Sequence, residues 1–130
     1  MKNIKLGLII AVGILLVAAC APAPVLNVSN APVETASRQK ASLDEVGKAI
    51  TRAGVALHWE MKTVKPGNIV GTLKWNVHLA VVDITYDTKT YSITYKDSTN
   101  LKYNGETIHK NYNRSIKNLD RDIRAQLSAL

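Results

Sequence analysis

Residues 77–96 read VHLAVVDITYDTKTYSITYK, and this stretch decides the fold. Two runs rich in β-branched and aromatic residues flank the polar segment Asp87-Thr88-Lys89-Thr90. A loop of that length places Tyr86 opposite Tyr91, so the two runs form an antiparallel hairpin. Side chains along both strands then alternate between a core face and a polar face. The core face consists of Ala80, Val82, Ile84, Tyr86, Tyr91, Ile93 and Tyr95.

Turn signals on both sides of this hairpin predict further strands. Lys65-Pro66-Gly67-Asn68 has Pro and Gly in the order that a type II turn prefers, and alternating residues flank it on both sides. Asn104-Gly105 marks another turn, followed by a short strand over 107–109. The sequence therefore predicts a three- to four-stranded antiparallel meander.

Two amphipathic helices are expected, one before and one after the strands. Ser42-Leu43-Asp44-Glu45 is a capping box, and apolar residues then recur at three- and four-residue steps as far as Leu57. A second apolar stripe runs from Tyr112 to Leu127. Both stripes need a surface to pack against, and the meander offers one apolar face. We therefore expect a single globular α+β domain over residues 42–130, with both helices on that face.

The first 19 residues have the layout of a secretory signal peptide. Lys2 and Lys5 precede an unbroken apolar run from Leu6 to Ala19, which ends in small residues. A membrane-spanning helix needs about 20 apolar residues, so this run is short for one. A retained membrane helix is the alternative interpretation of the same residues.

Val17-Ala18-Ala19-Cys20 resembles the lipobox of bacterial lipoproteins. The resemblance implies cleavage between Ala19 and Cys20, a lipid of palmitate-like acyl chains on Cys20, and membrane attachment through that residue. Cys20 is the only cysteine, so an internal disulfide is excluded and acylation gives the residue a role. Since Ala21 follows the cysteine where an Asp would retain the protein in the inner membrane, the resemblance also implies the outer membrane, facing the periplasm.

Residues 21–41 are expected to form a flexible tether after the lipidated Cys20. Three of the four prolines lie in this stretch, among Ser, Asn, Thr and Ala, and no apolar periodicity is present. A tether of that length would lift the domain off the lipid surface.

The sequence contains no pattern typical of a catalytic or metal site. Phosphate loops, dinucleotide fingerprints, nucleophile elbows and zinc-protease motifs are absent. His58, His78 and His109 lie far apart, and no cofactor or metal is expected. Among the acids, Asp83 falls on the polar face of the hairpin, while Asp120 and Asp122 point to different sides of a helix. We therefore expect the protein not to be an enzyme.

One segment is dense in side chains that form hydrogen bonds, and it is either a locked loop or a binding surface. Its pattern, which includes Tyr91-x-Ile93-x-Tyr95-x-Asp97-Ser98 and Tyr112-Asn113-Arg114, resembles a group of small uncharacterised proteobacterial lipoproteins. That resemblance implies an envelope protein and no particular activity. The candidate binding surface consists of Tyr95, Asp97, Asn100, Tyr103, His109, Tyr112, Asn113 and Arg114.

The charge balance and the expected export leave three hypotheses for function. The chain has 17 Lys and Arg against 10 Asp and Glu, yet a secreted protein is not expected to meet nucleic acid. The favoured hypothesis is a non-enzymatic envelope lipoprotein that serves as an accessory or adaptor to an envelope protein complex. The second is a module that binds an anionic envelope polymer or lipid, such as peptidoglycan or lipopolysaccharide. The third is an enzyme whose site is assembled from distant residues.

Overall fold

The structure is a computed structural model that describes residues 21–130. Two short strands come first, then a helix, a series of longer strands and a C-terminal helix. In chain order the elements are β1 (Ala23–Pro24), β2 (Val28–Pro32), α1 (Leu43–Ala56), β3 (Glu60–Lys65), β4 (Asn68–Trp75), β5 (His78–Tyr86), β6 (Thr90–Thr99), β7 (Thr107–Ile108) and α2 (Lys110–Ser128).

The predicted hairpin is confirmed as β5 and β6. Tyr86 lies opposite Tyr91 in an antiparallel register, and the backbone of Asp87 closes the loop by donating to Thr90 O at 3.0 Å. All seven residues of the predicted core face belong to one hydrophobic cluster or pack against it. The alternation along the sequence therefore identified the face of the sheet that becomes the core.

The predicted meander is also present, and it forms four consecutive strands of the sheet. β3 and β4 join through Pro66-Gly67, where Gly67 has φ +85°, as the second central position of a type II turn requires. β4 and β5 join through Asn76-Val77, where Asn76 takes φ +50°. Asn tolerates that left-handed conformation better than most residues, which explains why the chain turns there.

The prediction of a flexible tether over residues 21–41 is wrong for the residues that form β1 and β2. β2 adds a fifth strand to the sheet, whose order is β2-β6-β5-β4-β3, and β1 pairs with β7 in a separate two-stranded sheet. Without β2 one edge of β6 would leave its backbone groups unpaired, so pairing stabilises this segment. Pro24 and Pro32 end edge strands, where the missing N–H breaks no ladder. Proline content was therefore no sign of disorder here.

The two predicted helices are confirmed. Ser42 Oγ accepts from Glu45 N at 3.2 Å, and Glu45 Oε2 accepts from Ser42 N at 2.8 Å, which completes the capping box of α1. The stripe of α2 is fully buried. Its residues form one core with those of α1 and of the inner sheet face, which confirms the α+β class. The helix residues of this core are Val46, Ile50 and Ala53 from α1 and Tyr112, Ile116, Leu119, Ile123 and Leu127 from α2.

The opposite face of the sheet carries no helix within residues 21–130. Val70, Leu79 and Val81 are half-buried there and lie outside the hydrophobic core. Thr72, Asp83 and other polar residues surround them. We call this surface the open sheet face.

The predicted signal peptide, its cleavage site at Ala19 and the lipid attachment at Cys20 lie outside the described residues. All three therefore stay predictions. Within residues 21–130, neither helix is both long enough and apolar enough to cross a membrane.

Candidate functional site

Three tyrosines of the predicted binding surface lie together. The rings of Tyr95 and Tyr103 stack with centroids 4.1 Å apart, and the edge of Tyr112 meets Tyr95 at 5.6 Å. Tyr112 is buried beneath the pair, whereas Tyr103 is 42% exposed. Stacked rings of this kind hold one another in place and leave one aromatic face at the surface.

A shallow depression of about 560 Å³ lies beside the stacked tyrosines. Tyr95, Asp97, Asn100 and Tyr103 all line it, so the structure brings half of the predicted surface together. Two of its polar groups are already engaged, since Tyr95 Oη lies 2.8 Å from Ser98 Oγ and Asp97 Oδ1 accepts from Ser98 N. The depression is open to solvent, and these polar groups already bond to one another, which favours the locked-loop interpretation.

Asn100 and His109 have structural roles near this depression. Asn100 adopts φ +56°, and its Nδ2 donates to Val77 O at 2.7 Å. Its own carbonyl lies 2.8 Å from His78 Nδ1. His109 is the N-cap of α2, since its Nδ1 accepts from Asn111 N at 3.1 Å. Both residues fasten loops to regular elements.

Asn113 fastens the N-terminal segment to α2. Its Oδ1 accepts from Leu26 N at 2.9 Å, and its Nδ2 donates to Pro24 O at 2.8 Å. Val25 N also donates to Glu106 O at 3.0 Å, in the loop before β7. The chain therefore lies against the first turns of α2 from residue 23 onward, and Arg114 projects from the next position on the exposed side.

Two buried tyrosines, Tyr91 of β6 and Tyr112 of α2, differ in the hydrogen bonding of their hydroxyl groups. Tyr91 Oη donates to Asp120 Oδ1 at 2.5 Å, whereas Tyr112 Oη has no hydrogen-bond partner among the described residues. Burial raises the pKa of both phenols, and the bond to Asp120 raises the pKa of Tyr91 further.

The remaining candidate acids and histidines do not assemble into a site within residues 21–130. Asp83 pairs with Lys96 Nζ at 3.3 Å beside an open depression. The other two candidate acids, Asp120 and Asp122, pair with arginines of α2. His58 is exposed at the end of α1, while His78 lies beside Trp75. Nowhere in this part of the chain do three or more His, Cys, Asp or Glu side chains gather as a metal site would require.

α2 carries a row of exposed cations opposite its buried stripe, and sequence reasoning missed it. The signal was present, because steps of three and four residues place these side chains on one side of a helix. Arg121 pairs with Asp122 at 2.9 Å and Arg124 with Asp120 at 3.1 Å. We call this surface the basic face of α2, and it consists of Lys110, Arg114, Lys117, Arg121 and Arg124.

A second feature that sequence reasoning missed is an apolar groove of about 710 Å³ between α1 and the β3–β4 turn. Leu43, Gly47, Pro66 and Tyr86 line it, and the Tyr86 hydroxyl lies directly against Gly47. No local signal predicts the groove, because its walls come from elements separated in sequence.

No protein-family model, curated protein or solved structure matches this chain. The geometry of the described residues and the N-terminal sequence therefore carry the functional argument.

Proposed function

We propose that the protein is a non-enzymatic envelope lipoprotein, held in the membrane by an acylated Cys20 and acting as an adaptor for an envelope protein complex. The sequence from Lys2 to Cys20 supports the anchoring. The open sheet face is the observation that supports the adaptor role, since it offers a partner a broad surface made of rigid elements.

The composition of the open sheet face fits a protein partner. Val70, Leu79 and Val81 come from two neighbouring strands and form an apolar centre. Charged side chains, among them Lys62, Lys74 and the Asp83–Lys96 pair, surround it. An apolar centre inside a polar rim is the usual anatomy of a protein interface.

A photo-crosslinking experiment tests the adaptor role. A benzophenone amino acid in place of Val81 should capture a defined protein partner in intact cells. The matched control carries the same group in place of Lys89, which is exposed in the β5–β6 loop away from this face. Identical adduct patterns from the two positions, or no adduct from position 81, would contradict the proposal.

The second candidate function, binding of an anionic envelope polymer or lipid, is favoured by one specific observation. The basic face of α2 gathers five exposed cations on one side of a helix. Sedimentation with isolated sacculi tests whether the protein binds the polymer. Co-sedimentation of the protein with sacculi at low salt, and its release into the supernatant at high salt, would support this function. A chain that stays in the supernatant at low salt would exclude it.

A further inference from the structure

The N-terminal segment and the basic face of α2 meet at the same end of the domain. β1 begins at Ala23, and Asn113 binds both Pro24 and Leu26 through its side chain. Asn113 lies between Lys110 and Lys117 on the helix and directly before Arg114. The first residues after Cys20 therefore approach the cationic half of α2.

Few residues separate Cys20 from β1 along the sequence. Ala23 follows Cys20 by three residues, and an extended chain of that length spans at most about 11 Å. An anchor at Cys20 would hold β1, and with it the first turns of α2, close to the lipid surface. The ordered β1 and β2 leave no long spacer between membrane and domain.

The cations near β1 form no ion pairs within the described residues, and one of them lies at an unfavourable position in the helix. α2 has no acidic residue in its first turn, and Lys110 is its first residue, where the helix dipole disfavours positive charge. Lys110, Arg114 and Lys117 also form no ion pair among the described residues. Their charge is available to an external anionic surface.

We infer that the basic face of α2 lies on the anionic phospholipid headgroups of the membrane that holds Cys20. This orientation rests on the proposed lipid anchor. Cationic side chains at such a surface each shift the contact equilibrium about fivefold, so the three unpaired ones together contribute about a hundredfold. The helices then face the lipid, and the open sheet face points away from it.

A fluorescent label read by lipid-borne quenchers tests the orientation. The acylated protein is reconstituted in vesicles that contain phosphatidylglycerol and carry nitroxides on their headgroups. The label is attached through Ala125→Cys, which is exposed beside the basic face, or through Thr94→Cys on the open sheet face as control. Acylated Cys20 has no free thiol, so each label is unique.

The expected result is strong quenching at position 125 and weak quenching at position 94. Quenching at 125 should fall to the control level in phosphatidylcholine vesicles and in 1 M salt, where the screening length is about 3 Å. Equal quenching at both positions, stronger quenching at 94, or no dependence on lipid charge would overturn the inference.

Charge variants locate the contact on α2. In the Ala125→Cys background, the triple variant Lys110→Gln, Arg114→Gln, Lys117→Gln should lose the quenching. A matched triple variant, Lys62→Gln, Lys74→Gln, Lys89→Gln, removes the same charge from exposed positions elsewhere and should retain it. Equal loss in both variants would mean that only net charge matters, and would overturn the inference.

Two further outcomes separate this inference from the proposals on which it rests. A purified protein whose mass contains no lipid overturns the anchoring and the orientation together. A lipidated protein whose label at 125 stays unquenched overturns the orientation alone. Loss of quenching when isolated sacculi are added would assign the basic face to the polymer and would also overturn the lipid contact.

Discussion

Replacing either buried tyrosine by phenylalanine removes a hydroxyl group, and we expect opposite effects on stability at the two positions. Tyr91→Phe removes a bond to the charged Asp120 and should lower the free energy of unfolding by about 2 kcal/mol. Tyr112→Phe removes a buried hydroxyl with no partner among the described residues and should raise it by about 1 kcal/mol. Chemical denaturation of the two variants measures both changes. A loss of stability in Tyr112→Phe would show that its hydroxyl is satisfied.

The same tyrosines predict a fall in stability at alkaline pH. Their pKa values are raised in the folded protein, mainly by burial, whereas an unfolded tyrosine loses its proton near pH 10. Above pH 10 the unfolded state therefore binds fewer protons than the native state, and stability falls as pH rises, by about 1.4 kcal/mol per pH unit for each tyrosine. Below pH 10 their contribution is constant.

Urea denaturation between pH 9 and pH 11 measures this slope. The double variant Tyr91→Phe, Tyr112→Phe should show a much shallower dependence than the wild type over the same range. Identical slopes in the two proteins would contradict the assignment of the effect to these residues.

At the scale of elements, the side chain of Asn113 holds β1 and the following residues against α2. Asn113→Ala removes two hydrogen bonds and should weaken this attachment by about 1–2 kcal/mol. Amide exchange of residues 23–27 should accelerate, while the protection of β5 stays unchanged. Asn118→Ala is the matched control, since Asn118 is also half-buried on α2 and makes only a 3.4 Å bond to Arg121. Equal acceleration in both variants would refute the role of Asn113.

Alanine substitutions at two glycines with positive φ distinguish the cost of backbone strain from the cost of a steric clash. Gly67 has φ +85°, and a Cβ there would lie 2.9 Å from the carbonyl oxygen of Tyr86. Gly105 has φ +98° with no atom within 4 Å of that position. Gly105→Ala should destabilise by about 1 kcal/mol through conformation alone, and Gly67→Ala should destabilise more. Thermal melts of both variants test this order, and equal losses would contradict it.

The elements that could be predicted from the sequence are those with local signals. The pairing of Tyr86 with Tyr91 follows from a short loop between alternating strands, and the capping box at Ser42 marks the start of α1. β2 lacked such a signal, because it pairs with a strand far along the chain, where Val28 lies opposite Ile93, and its stretch is rich in Pro and Asn. Such a strand forms only when β6 already offers an edge.

The candidate site was predictable in part for the same reason. Tyr95 and Tyr103 lie close in sequence, within the one segment that is dense in hydrogen-bonding side chains. The role of Asn113 depends on its contact with Pro24, 89 residues away, which composition does not reveal. The basic face of α2 has a periodic signal in the sequence, with cations at steps of three and four residues, which the net charge of the whole chain does not reveal.

At the scale of the whole molecule, the two faces of the domain have different surroundings in our proposal. The helix layer, with its basic face, lies toward the lipid, and the open sheet face is presented to a protein partner. Because β1 begins three residues after Cys20, an acylated Cys20 would keep the domain at the membrane surface. A partner is therefore expected to be membrane-associated or to reach down to the membrane.

The intact mass of the protein purified from its native membranes tests the central claim most directly. Our account predicts a chain that begins at Cys20 and carries two or three acyl chains, since a single chain anchors only marginally. Mild alkaline hydrolysis should lower the mass by that of the two ester-linked acyl groups and leave the glyceryl thioether, with any amide-linked acyl chain, on Cys20. A mass equal to all 130 residues without lipid would contradict the account and would return residues 6–19 to the status of a retained membrane helix.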